Sequence, residues 1–181
     1  MMKVIIIGCF VSLVGVYSYL TSRNLSDMDS AESVPVLKEL PAIKLVTMAG
    51  QEKALYQYLD NEPNHHLVVH FWATWCGPCE VEFPALVKLA KSLEGQGVKF
   101  LFVAVNDDPK KIEDFIQRFQ NHYPQLEILL DTQEAYKEHF GTSRLPETYI
   151  FNKMKKTVRK FAGAMAWEEE YFTQFFKSLK E

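Results

Sequence analysis

Two cysteines separated by two residues, Cys76 and Cys79 in Trp75-Cys76-Gly77-Pro78-Cys79, are the side chains whose type and spacing point most directly to chemistry. A pair so spaced can close a small disulfide. If the first sulfur sits at the start of a helix, unpaired N–H groups and the helix dipole stabilise its thiolate, so Cys76 is expected to have a lowered pKa and to attack. Cys79, one helical turn further in, becomes the resolving thiol: it breaks the mixed disulfide that Cys76 forms with a substrate, leaving an internal disulfide and a reduced substrate, or the reverse. A lone CxxC is also half of a tetrahedral zinc site, but the sequence offers no second CxxC, and its HxxxH spacing, His66 to His70, runs into a stretch read as a strand rather than a helix. No metal and no cofactor beyond the Cys76–Cys79 disulfide is therefore expected. His65 and His66 follow a Pro-Asn turn and read as solvated, whereas His70 lies in an otherwise apolar run close to the sulfurs.

The elements around the motif are those such chemistry needs. Leu67 to Trp72 is a short apolar run with the character of a buried strand, and it leads directly into the cysteines. From Pro78 to about Glu94, Phe83, Leu86, Val87, Ala90 and Leu93 form a helical stripe, with Pro84 expected to kink it. Val98 to Val105 reads as a second buried strand. Asp108-Pro109 then caps a helix carrying Ile112, Phe115, Ile116 and Phe119. Leu126 to Leu130 fits a third strand, and Asp131 and Glu134 have capping-box spacing for a short helix to Phe140. Thr148 to Phe151 and Thr157 to Phe161 make a hairpin, whose basic run Lys153, Lys155, Lys156, Arg159 and Lys160 reads as a solvated face. A last helix sets Tyr171, Phe172, Phe175, Phe176 and Leu179 on one side. Upstream, Pro41 to Met48 alternates loosely before a turn at Ala49-Gly50, and Ala54 to Leu59 fits either a short helix or a strand. The order implies an α/β fold, a mixed sheet flanked by helices on both faces.

With 48% apolar and 24% charged residues, the chain has the composition of a globular protein, and 3 cysteines are too few for a disulfide scaffold. Its 20 basic and 23 acidic residues are interspersed, which argues against nucleic acid as a partner. Residues 1–21 hold Lys3 and an uncharged run from Val4 to Leu20, roughly 26 Å long as a helix at about 1.5 Å per residue, near the short limit for a bilayer core. This fits a membrane anchor or a signal segment. Bulky Tyr17, Tyr19 and Leu20 at its end favour an uncleaved anchor, and Cys9 would be a thiol within it. Residues 22–35, rich in Ser, Asp and Glu, read as a flexible tether to a domain over 36–181.

Phe71-Trp72-Ala73-Thr74-Trp75-Cys76-Gly77-Pro78-Cys79, the following Glu82-Phe83-Pro84, and Leu145-Pro146-Glu147-Thr148-Tyr149-Ile150 resemble the thioredoxin superfamily. Within it they are similar to the TlpA/ResA/CcmG branch of membrane-anchored, extracytoplasmic thiol-disulfide oxidoreductases. The resemblance, over about residues 35–181, implies a thioredoxin-like fold and a cis peptide before Pro146. It places that loop against the cysteines, with the backbone of Leu145 offered to a substrate strand and Trp75, Gly77 and Pro78 as further substrate contacts. It also implies protein thiol or disulfide clients, a membrane electron donor, and upkeep of apocytochromes or other secreted thiols. The family usually carries Asp or Asn where this chain has His70, while Glu82 matches its acidic residue three positions after the second cysteine. His70 and Glu82 are the candidate proton acceptors for Cys79; His70 is expected to be the better base because its ordinary pKa, about 6.5, is closer to neutral, while Glu82 would need its value raised by burial to compete. A lone Glu on an amphipathic helix is otherwise a solvated residue. A redox-dependent binding or metal-delivery module and a dithiol oxidase or isomerase use the same cysteine pair and remain alternatives.

Overall fold

The computed structural model describes residues 37–60, 66–118 and 126–179. The expected anchor, tether and Cys9, and also His65 and Phe119, lie outside the described residues.

Seven strands form one mixed sheet. They are β1 (Lys44–Thr47), β2 (Glu52–Ala54), β3 (His66–Trp72), β4 (Val98–Val105), β5 (Ile128–Asp131), β6 (Glu147–Phe151) and β7 (Thr157–Ala162), in the spatial order β2-β1-β5-β4-β3-β6-β7. Strands β3, β4 and β5 run parallel at the centre, and the remaining pairings are antiparallel. Five helices complete the described residues: α1 (Gln57–Asp60), α2 (Gly77–Ser92), α3 (Pro109–Gln117), α4 (Ala135–Glu138) and α5 (Glu170–Ser178).

Because successive strand residues face opposite ways, β3 feeds two cores. Val68 and Trp72 pack with Phe83, Leu86, Phe102, Phe115, Phe172 and Phe176 beneath α2, α3 and α5. Leu67, Val69 and Phe71 pack with Leu59, Val103, Tyr136, Tyr149 and Phe151 on the side of α1 and α4. Burial on both faces explains why β3 and β4 are continuous apolar runs rather than alternating ones.

Several expectations are refined. The ambiguous stretch around Ala54 to Leu59 is both elements in turn: Ala54 ends β2, and Leu55, Tyr58 and Leu59 bury into one turn of helix. Gly50, at φ +77°, allows the tight return between β1 and β2. Helix α2 continues through Pro84 to Ser92. The expected capping box does not form: Glu134 sits at φ +56° without capping its helix, and Asp131 instead accepts the N–H groups of Gln133, Ala135 and Tyr136. Spacing suggested reciprocal bonds, but Asp131 at the strand end already reaches the first turn, and Glu134 turns outward to Asn106 and Lys137. In α5 the apolar face is narrower than five aromatic and aliphatic residues require. Phe172 and Phe176 are buried, while Tyr171 is half exposed at the edge.

Candidate active site

The β3–α2 junction delivers the cysteines as a disulfide, with S–S 2.01 Å and Cα–Cα 5.2 Å. Cys76 is the N-cap of α2, and its sulfur accepts the backbone N–H of Cys79 at 3.3 Å. That contact satisfies one of the unpaired donors of the first turn and favours negative charge on Cys76 once the disulfide is reduced. Cys79 is fully buried, whereas Cys76 keeps 6% of its surface. Pro78, in the first turn, loses nothing by lacking an N–H there. A side-chain carbon added to Gly77 would meet nothing within 4 Å, so the space over the motif is open, and Trp75 beside it is 63% exposed.

The loop before Cys76 is held from outside the motif. Asp107, just after β4, accepts the backbone N–H of Thr74 at 2.5 Å and its hydroxyl at 2.9 Å, and the Trp75 indole N–H reaches the carbonyl of Asn106 at 3.4 Å. Asp107 had no expected role. It adjoins Asp108, which caps α3 through Lys110 and Lys111, and nothing in the local sequence says that one of two adjacent aspartates points across the sheet end.

Leu145-Pro146 is a cis peptide. Pro146 is buried and its carbonyl accepts the N–H of Gly163 at 2.9 Å. Leu145 packs against the core cluster that contains both cysteines, and among the described residues none takes up its backbone N–H or C=O.

Below the disulfide lie the two candidate proton acceptors. Glu82 is one helical turn from Cys79, on the same buried side of α2, with 4% of its surface exposed. Of the two readings of Glu82, that of a solvated helical residue is removed, because this face of α2 lies on the sheet. Its Oε2 accepts the backbone N–H of Met165 at 2.7 Å and the indole N–H of Trp167 at 2.8 Å. Its Oε1 has no hydrogen-bond partner, and lies 3.7 Å from Nε2 of His70, which has none either. His70 is fully buried, its Nδ1 lying 2.9 Å from the Thr148 hydroxyl of β6.

Burial shifts the two groups in opposite senses, since it disfavours whichever form carries charge. It pushes Glu82 up to about 7, against the lowering effect of the Met165 and Trp167 bonds, and pushes His70 down to about 3. The expected ranking of the two bases is thus inverted: near neutral pH His70 is a neutral imidazole and Glu82 is the group that gains or loses a proton. Trp167, Met165 and Thr148 were not foreseen as parts of the site. Only the general need of a buried indole N–H for an acceptor could have hinted at Trp167.

The basic hairpin is largely the solvated face its composition suggests, with Lys153, Lys156 and Arg159 exposed. Lys155 and Lys156 pair with Asp60 and Glu39, and Lys160 lies 2.8 Å from the buried Glu147. Among the described residues there is no cluster of metal-binding side chains and no helix long and apolar enough to cross a membrane.

Comparison with known proteins gives concordant matches. The Redoxin family model matches residues 35–175. The chain is 30% identical, over 148 residues covering 82% of it and 80% of the relative, to the thiol-disulfide oxidoreductase ResA of Geobacillus thermodenitrificans. It is 27% identical to the thiol:disulfide interchange protein HelX of Rhodobacter capsulatus, over 71% of this chain and 68% of the relative. In fold it is similar to the crystal structure of a thiol:disulfide interchange protein of the thioredoxin family from Chlorobium tepidum, with TM-score 0.64 and 19% identity over 80% of this chain and 97% of that one.

Proposed function

The chain belongs to the Redoxin family and is a thiol-disulfide oxidoreductase of the ResA-like kind; from that premise we propose that it reduces protein disulfides outside the cytoplasm, tethered by its N-terminal segment. In this reading Cys76 attacks the client disulfide, Leu145 offers its backbone to the client strand, and Trp75, Gly77 and Pro78 form the surface the client covers. Cys79 then attacks the mixed disulfide, the client leaves with both of its sulfurs reduced, and the two electrons have come from the Cys76/Cys79 dithiol. A membrane dithiol protein restores the pair. The clients include apocytochromes or other secreted thiols.

The observation that carries the reading is the inequality of the two sulfurs. Cys76 caps the helix and keeps some exposure, while Cys79 is sealed beneath it with Glu82 one turn away. An outer nucleophile and an inner resolving thiol with a carboxyl group beside it suit a two-step exchange. A passive disulfide would have no use for that carboxyl. The Gly77-Pro78 insert, shared with reducing thioredoxins, supports the reductive direction, and the apolar run Val4 to Leu20 supports the tether.

The test is capture. Cys79→Ser should accumulate clients as mixed disulfides on Cys76, and the wild-type dithiol should reduce insulin. Membrane-impermeant thiol reagents should label Cys76 in intact cells. Preferential alkylation of Cys79 in the reduced protein would invert the assignment of roles, and labelling only after lysis would remove the extracytoplasmic placement.

A further inference from the structure

The two unpartnered atoms beneath the disulfide, Glu82 Oε1 and His70 Nε2, face each other at 3.7 Å, and the other end of each group is already engaged. Oε2 is held by two N–H donors, so any proton taken up by Glu82 belongs on Oε1. His70 can meet Oε1 in two ways. With the proton on Nε2, the ring presents an N–H to an ionised carboxylate, and Nδ1 accepts from the Thr148 hydroxyl. With the proton on Nδ1, the ring presents a lone pair to a protonated carboxyl, and the Thr148 oxygen accepts. A hydroxyl can serve either role by rotation, without moving a heavy atom.

We propose that Thr148 and His70 form a reversible hydrogen-bond relay that lets Glu82 hold the Cys79 proton, Thr148 being the positioning residue that sets the His70 tautomer. The relay rests on the dithiol reading above. In the forward step the Cys79 thiol gives its proton to Glu82 Oε1 and the Cys79 thiolate attacks the Cys76–client disulfide. A new S–S bond closes and the client departs as a thiolate that is protonated from solvent. When the dithiol of the reductant attacks Cys76, Cys79 leaves as a thiolate and recovers its proton from Glu82. Each change at Oε1 is matched by a tautomer change at His70, in which one proton leaves Nε2 for water and one reaches Nδ1 from water so that the ring stays neutral, and by a turn of the Thr148 hydroxyl.

The surroundings leave the relay undisturbed. On the same face, β3 contributes Val68 and Trp72, β4 contributes Phe100 and Phe102, β6 contributes Ile150, and α5 contributes Phe172 and Phe176. On β7, Phe161 pairs with Thr148, and Arg159 on that side is exposed and set over the Phe175 ring. On α2 the titratable neighbour is Cys79; Glu80 is exposed and paired with Arg118. Glu147 and Lys160 pair with each other on the opposite face of β6 and β7. Among the described residues no fixed cation therefore forces the carboxyl to stay ionised.

The test follows the His70 ring nitrogens by NMR in the full chain, labelled with 15N-histidine and held in detergent as the disulfide form, on both sides of the Glu82 midpoint. The expected result is the Nε2–H tautomer above the midpoint and the Nδ1–H tautomer below it. Thr148→Val would leave an Nδ1–H buried without an acceptor, so it should favour the ionised carboxyl and move the midpoint, and the pH profile of mixed-disulfide resolution, downward by about one unit. Thr148→Ser should restore both. A single His70 tautomer across the range, or a midpoint unmoved in Thr148→Val while the variant stays folded, overturns the relay. Insulin reduction on the same preparations separates the two ideas: a protein that reduces insulin with a fixed tautomer refutes the relay alone, and one that switches tautomer but reduces nothing refutes the reductase reading.

Discussion

Two glutamates are buried on opposite sides of this sheet and meet opposite fates. Glu147 on β6 has both carboxylate oxygens in contact with a partner: Lys160 lies 2.8 Å from one, and the Tyr149 hydroxyl, whose single proton is shared between two acceptors, lies 2.9 Å from the other and 2.7 Å from the carbonyl of Phe140. Glu82 on α2 has no cation. One of its oxygens takes two N–H donors and the other is left facing a neutral imidazole. A buried carboxylate matched by a charge holds structure together, since losing its partner strands a charge in the interior. A buried carboxylate without a counter-charge sits where its two protonation states are close in energy, which is the property a proton acceptor needs. Glu147 also begins the strand that follows the cis Leu145-Pro146 bond, so its ion pair ties down the element next to that loop, while Glu82 lies one helical turn from Cys79.

That contrast can be broken from either side. The largest effect is expected from Glu82→Gln, which should slow resolution of the mixed disulfide about 100-fold, as for loss of a positioned acid-base group, and leave the first attack by Cys76 nearly unchanged. Stopped-flow measurement of the two steps decides it, and equal slowing of both would assign Glu82 to general packing. On the other side, Lys160→Met should lower stability by about 2 kcal/mol, because Glu147 would then be buried without its cation, although Lys160 retains some solvent contact. Denaturant unfolding should register the loss, with resolution kinetics at wild-type values once the protein is folded.

The pH dependence sharpens the comparison further. Glu82 rises from an ordinary 4.5 to about 7 on folding, so it binds a proton in the folded but not the unfolded chain across that range, and its contribution to stability is present below 4.5 and lost as pH climbs through 7. His70 falls from 6.5 to about 3, so its contribution is present above 6.5 and lost as pH falls toward 3. Between 4.5 and 6.5 the two slopes oppose and cancel. Glu82→Gln uncovers the histidine slope, and the stability of wild type minus variant should fall by about 3 kcal/mol between the two Glu82 values. A difference that is flat across the range would mean that Glu82 does not titrate abnormally.

Smaller effects follow at the periphery. Trp167→Phe removes one N–H donor from the charged form of Glu82, so the Glu82 midpoint should move up by about one unit or less, opposite in sign to Thr148→Val. The pH profile of resolution reads both. Gly77→Ala, adding a carbon where nothing lies within 4 Å, should alter stability by less than about 0.5 kcal/mol while reducing client capture by crowding the surface over the disulfide. Unaltered capture would remove Gly77 from the client surface.

By itself the sequence determined whatever depends on local order. The apolar runs at β3 and β4, the Asp108-Pro109 start of α3 and the CxxC at a strand-to-helix junction were all legible, because each is a pattern of neighbours along the chain that local geometry converts directly into an element or a reactive pair. The short segments were not. Four residues suffice for neither a helical nor a strand period, so Gln57–Asp60 and Ala135–Glu138 take their form from what they pack against and from Asp131. At the site, the pairing of Cys76 with Cys79 was legible from spacing, but Asp107, Thr148, Met165 and Trp167 were not, since their partners lie between 33 and 85 residues away along the chain. Only the tertiary structure decided which of His70 and Glu82 titrates near neutral pH. Ordinary pKa values favour the histidine, and burial of both groups in one apolar face raises the acid, lowers the base and so reverses the order.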